Sequence, residues 1–357
     1  MHPRTTLKLL EKYNLIDSAK SHSHIFKRVL TECLNAKKEE VLIVGDEGYE
    51  GRRIAALMAT SYYVAARELG LNANLIIQKP KTKGDDADEN IIDSLENLKE
   101  GNIIILNLSN RLGSIKDLGK SYRKFVKSHG HRFVSTPKIG RLTNDRFSLV
   151  ANSINIDYKA LQERSEQIKQ ILDDGKELHV TSPKGTDFYM NIKSKKAVKN
   201  DGDYKKPATG GNIPAGEVYI PPYGKKYVSG KMVIDASSSH KEGSTLVKHP
   251  ITLIVEKGKV VEIDGDKEAD ALKLTLDWAE AKAKHPWGIR RVGEFGIGLN
   301  PNARIVGATI IDEKVLGTAH FALGSNYWFG GTIYAIIHLD QIFRNPSIYV
   351  DGEKLVV

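Results

Sequence analysis

Six residues in the second half of the chain combine metal-binding side chains with surroundings that disfavour charge. Glu217 lies in GGNIPAGEVYIPP (210–222), Glu294 in RVGEFGIGLN (291–300), Glu313 and His320 in IIDEKVLGTAHFALGSNYWFGG (310–331), and His338 and Asp340 in YAIIHLDQIF (334–343). These segments are apolar or glycine-rich, and an unpaired charge buried in one costs on the order of several kcal/mol. His338 and Asp340 are two residues apart, which on a strand turns both side chains to one face. By the same alternation Glu294 shares a face with Val292, Gly296 and Gly298, leaving room for a neighbouring backbone or a ligand, and His320 shares one with Thr318 and Ala322.

Four carboxylates with two neutral histidines carry −4, and two divalent cations would cancel that charge. Oxygen and imidazole ligands without cysteine suit zinc, cobalt or manganese and argue against iron–sulfur or thiolate zinc sites. Two such ions about 3.5–4 Å apart, bridged by a carboxylate, share a water, lower its pKa to about 7 and polarise a carbonyl. Hydrolysis is the chemistry expected of that arrangement.

The elements that position these residues fall into two halves. Apolar runs at 39–46, 72–78 and 102–109 read as buried strands, alternating with helical periodicity at 21–34, 52–69 and 89–101. That alternation predicts βαβ units and a mostly parallel sheet. A helix over 159–175 closes this half, and from Glu177 the pattern becomes short alternating strands, with a further helix over 270–285 and a basic stretch, 193–205, that reads as a solvated loop. The expected fold is therefore α+β in two domains: an N-terminal α/β domain over 1–176 and a β-rich, metal-binding catalytic domain over 177–357.

The chain has 357 residues, with 53 Lys+Arg against 44 Asp+Glu for a net charge of +9. The basic residues are scattered and aromatics make up only 7%, so no nucleic-acid partner is expected. One cysteine, Cys33, excludes an internal disulfide and is assigned to the core; the composition fits a reducing, cytoplasmic setting. No run of 18 apolar residues occurs, so no membrane partner is expected either. The glycines of GDEGYEG (45–51) miss dinucleotide-binding spacing, and its acidic residues would repel a pyrophosphate, so it reads as a turn entering a helix. The pairs His22/His24 and His129/His131 read as surface histidines.

In order along the chain, GNIPAGEVYIPP, VGEFGIGLN, DEKVLGTAHFALG and IHLD resemble the aminopeptidase T family of metallopeptidases, which includes aminopeptidase S. The resemblance implies a metal-dependent aminopeptidase acting on small peptides as a homodimer. It places metal ligands at Glu217, Glu294, Glu313, His320, His338 and Asp340, with Glu217 and Glu294 as catalytic carboxylates. Tyr327 would match the tyrosine that stabilises the tetrahedral intermediate or completes the metal shell. The segment between His320 and His338 is shorter than in well-studied members, which would reshape the cleft rim or the dimer contact. The catalytic half is also similar to 2,5-dihydroxypyridine 5,6-dioxygenases, which use one iron. Under that alternative His320, His338 and Asp340 form a two-histidine, one-carboxylate triad.

Overall fold

The computed structural model describes residues 3–119 and 121–357. Contacts group them into two compact units, Met1–Tyr158 with Gly202–Ala215, and Lys159–Asp201 with Gly216–Val357. The α/β half and the β-rich half expected from the sequence are both present.

In the first unit the apolar runs become the strands Val41–Asp46, Ala73–Gln78 and Ile103–Asn107, joined by Arg132–Thr136 and Gly210–Asn212. The sheet order is 73–78, 41–46, 103–107, 132–136, 210–212, and every pair is parallel. Near-continuous apolar strands are what a sheet covered on both faces requires. Leu42, Val44, Ile104 and Leu106 pack with Ile91, Leu95 and Phe125 from flanking helices. The turn after the first strand is locked from within: Asp46 accepts hydrogen bonds from the Gly48 and Ser109 amides at 3.0 and 2.6 Å and from the Ser109 hydroxyl at 2.5 Å. Cys33 is buried, and burial pushes its thiol pKa up. His131 corrects one expectation: it is buried, packing against Phe125 and His129, because it begins the turn into an apolar strand.

The second unit contains two seven-stranded sheets whose pairs are all antiparallel. Phe188 of one sheet makes edge contacts with Phe295 and Phe321 of the other, and Phe321 also meets Phe343. Alternation then forces the other face of the second sheet to carry Glu294, His320 and Asp340. The stretch 193–205 is not wholly a solvated loop: Val198–Asn200 is a strand paired with Glu217–Ile220, and Asn200 and Asp201 are buried. Among the described residues no helix is long and apolar enough to cross a membrane.

Candidate metal centre

Adjacent strands of the second sheet supply most of the site: Glu217–Ile220, Val292–Gly298, Thr318–Gly324 and His338–Arg344. Their register places a small residue opposite each site side chain. Glu217 faces Gly298, His320 faces Gly296, Glu294 and Asp340 both face Ala322, and His338 faces Gly324. Directly opposed Cβ atoms lie only about 4.5–5.5 Å apart, so larger residues there would fill the space the ligands need. At Gly296 the requirement is strict, since an added Cβ would lie 2.1 Å from His320 Nε2. The register shifts between Val292 and Glu294, with Gly293 the extra residue, so Val292 pairs with Leu323. Such a bulge breaks strict alternation. Val292 therefore does not share the Glu294 face as expected.

Five of the predicted ligands converge directly. His320 Nε2 lies 3.2 Å from Glu294 Oε1 and 3.7 Å from Glu217 Oε2. His338 Nε2 lies 3.1 Å from Asp340 Oδ1 and 3.5 Å from Glu294 Oε2. Ligand atoms of Glu294, His320 and Asp340 all fall within 4.8 Å of one another, a spacing able to hold a metal ion. His338 Nδ1 lies 2.8 Å from the Ser325 carbonyl oxygen. That bond puts a proton on Nδ1 and leaves Nε2 to face the carboxylates, the outer-partner arrangement common for metal-ligating histidines.

The sixth residue, Glu313, caps the short helix Thr309–Asp312 and reaches the cluster through Lys314, which the sequence reading did not single out. Lys314 is fully buried; its Nζ lies 2.5 Å from Glu217 Oε1 and also donates to Glu313 Oε1. Asn200 Nδ2 approaches the same Glu217 oxygen at 3.4 Å. The −4 charge assigned to the carboxylates is thus already reduced to −3 by a cation inside the cluster.

The remaining charge controls the titrating groups. Burial lowers the His320 pKa, but its hydrogen bond to Glu294 and the charges of Glu217, Glu294 and Asp340 outweigh this and raise it to about 9. His338 is likewise depressed by burial and carried up to about 10 by Asp340 and Glu294. Burial raises Glu294, and it raises Glu313 to about 8 against the opposing pull of Lys314. Without metal, protons occupy both imidazoles. One divalent ion carries the charge of the two protons it displaces, so the residues present fit a metal ion.

Tyr327 is not brought into this cluster. It is half exposed, with its ring against Tyr334 and Trp328. Its neighbours mark the open side instead: Trp328 meets the His338 ring edge-on at 5.0 Å, and Phe329 meets it at 6.4 Å. Trp287, seven residues before Glu294 in sequence, lies beneath the Lys225 ammonium. A surface concavity of about 570 Å³ beside residues 350–356 holds none of the site residues.

Fold and site together define a protein with an α/β unit and a β-rich unit whose histidines and carboxylates can hold a metal ion. Residues 149–357 match the family NicX: 2,5-dihydroxypyridine 5,6-dioxygenase, and the chain belongs to that family. The 2,5-dihydroxypyridine 5,6-dioxygenase of Pseudomonas putida KT2440 is 26% identical over 196 residues, 52% of this chain and 54% of that protein. The match thus spans about half the length of that relative. The solved structure of 2,5-dihydroxypyridine dioxygenase from Pseudomonas putida KT2440 superposes with a TM-score of 0.68 at 18% identity, covering 94% of this chain and 95% of that one. Wild-type AmpT from Thermus thermophilus gives 0.62 at 14% identity, covering 94% and 99%.

These findings overturn the aminopeptidase expectation. The family and the curated relative carry the name of a dioxygenase, which contradicts the hydrolase, peptidase and proteolysis expectations. The ordered motifs follow a scaffold that both solved neighbours share, and a scaffold does not fix the reaction performed on it.

Proposed function

We propose that the chain is a mononuclear ferrous dioxygenase that cleaves a hydroxylated pyridine-type ring. His320, His338 and Asp340 hold the ion as a two-histidine, one-carboxylate set. The observation that carries this reading is the meeting of His320 and Asp340 with Glu294, with His338 against Asp340, in a member of this family, at a site with one aromatic side. A bound ferrous ion supplies open coordination positions and the redox chemistry needed to bring dioxygen and ring together.

The protein's own residues do the rest. The Ser325 carbonyl fixes the His338 tautomer and ring plane. Trp328, with Tyr327 and Tyr334 beyond it, offers flat apolar faces on which a heteroaromatic ring can stack. Glu294, between the two imidazoles, accepts the proton released by a ring hydroxyl. The buried floor of Gly296, Ala322 and Gly298 excludes water behind the ligands.

The test is anaerobic reconstitution with Fe(II), then addition of 2,5-dihydroxypyridine in aerated buffer with an oxygen electrode and ultraviolet absorbance. Equimolar oxygen uptake and loss of the ring chromophore are expected, with no nitroaniline released from leucyl-p-nitroanilide. A fully iron-loaded protein that consumes no oxygen with any dihydroxypyridine would overturn the proposal.

A further inference from the structure

Glu217 presents one oxygen to each of two cation positions, the posture of a bridging ligand in a two-metal site. Its Oε2 faces His320 Nε2 at 3.7 Å, on the side where Glu294 and Asp340 gather. Its Oε1 faces Lys314 Nζ at 2.5 Å, and the same ammonium donates to Glu313. A divalent ion would sit about 2.0–2.2 Å from such oxygens, so the ammonium stands within a fraction of an ångström of a second metal position. Lys314 has no solvent exposure, and its backbone is pinned by the Asn300 amide, which donates to the Lys314 carbonyl at 2.7 Å.

We propose that the Lys314 ammonium is a built-in substitute for a second metal ion: it occupies the position between Glu217 and Glu313 and so limits the centre to one divalent ion. This rests on the reading of the neighbouring cluster as a metal site and concerns how many ions that site takes. Lys314 is a positioning residue here, holding two glutamates that would otherwise be free to ligate.

The experiment counts metal rather than turnover. Chelated full-length protein is titrated with Mn²⁺, bound metal is measured by elemental analysis, and the manganese EPR spectrum is recorded. Wild type is expected to bind one Mn²⁺ per chain with a mononuclear spectrum. Lys314→Ala is expected to bind two, with a spin-coupled pair signal, and Glu217→Gln/Lys314→Met to return to one. Two tightly bound ions in wild type would overturn the inference without any variant, which covers the case of a Lys314→Ala chain that does not fold. Folded Lys314→Ala that still takes one ion would overturn it as well. A wild type that binds one ion yet fails to oxidise dihydroxypyridines would defeat the proposed reaction and leave this inference standing.

Discussion

Gly296→Ala tests whether the site is built by the small residues opposite its ligands. The added methyl would lie 2.1 Å from His320 Nε2, 2.3 Å from Cε1 and 2.9 Å from Cδ2. Restoring ordinary contact moves the ring by about 1.3 Å, whereas metal–ligand distances tolerate about 0.2 Å. His320 therefore ceases to ligate unless the whole strand pair yields. Disturbing an outer partner of a metal ligand typically costs about 10–100-fold in affinity, and displacing the ligand itself should exceed about 100-fold. Overpacking adds about 1–3 kcal/mol of destabilisation even in chelator. The assay is Fe(II) or Mn²⁺ affinity by equilibrium dialysis, with melting in chelator measured in parallel. Gly317→Ala is the control, because its positive φ of 82° strains the backbone but nothing lies within 4 Å of the new methyl. It should lose stability and keep the metal. Gly296→Ala with wild-type metal affinity would refute the claim that glycine is there to admit the imidazole.

His320→Ala should lower metal content to near zero while circular dichroism stays native, and full metal occupancy would remove it from the ligand set; Glu294→Gln should keep its metal and lose ring cleavage, and full turnover would remove Glu294 as the base. In chelator, His320 and His338 have pKa values raised to about 9 and about 10 from 6.5, so their contribution to stability is complete below pH 6.5 and lost as pH rises through 9–10. The chelated protein should melt lower at high pH, with a smaller fall in His338→Gln, whereas metal affinity should weaken toward low pH; an unchanged slope in the variant would contradict this. Trp328→Ala should raise KM for a dihydroxypyridine about 3- to 10-fold at unchanged metal content, the worth of one aromatic contact, and an unaltered KM would remove the stacking face. Asp46→Ala leaves the amides of Gly48 and Ser109 and the Ser109 hydroxyl without their acceptor, so it should cost about 2–4 kcal/mol by urea unfolding while metal content stays the same.

The fold was legible because its signals are local and repetitive. Runs such as 39–46 and 102–109 could only be buried strands, and the change of period near Glu177 announced the β-rich half. The bulge at Gly293 was not legible, since one extra residue leaves the apolar pattern almost intact. The site was legible as a set of charges in unsuitable surroundings, and those charges do meet. What escaped was the compensating charge. Lys314 follows Glu313 directly in DEK, and an acidic–basic pair at a helix end reads as surface until the three-dimensional partner, Glu217, 97 residues away, is known. Of the aromatic residues 327–329 the sequence points to Tyr327, whereas in the structure Trp328 is the one that meets His338 and Tyr327 packs against Tyr334.

That missing charge is also why a two-metal reading and a one-metal reading start from the same six residues. Counted alone, −4 matches two dications; counted with Lys314 the charge is −3, which one dication does not exceed and two do. At about 4 Å, with an effective dielectric of about 20, an ammonium and a dication repel by about 8 kcal/mol, more than a spare carboxylate ligand readily offsets. The ammonium also engages one oxygen of Glu217 and one of Glu313, which are then not open to a second ion. Both solved neighbours share this scaffold, and a scaffold leaves the number of ions to its side chains; on the inference drawn above, the side chain that sets it here is Lys314, whose ammonium lies between Glu217 and Glu313.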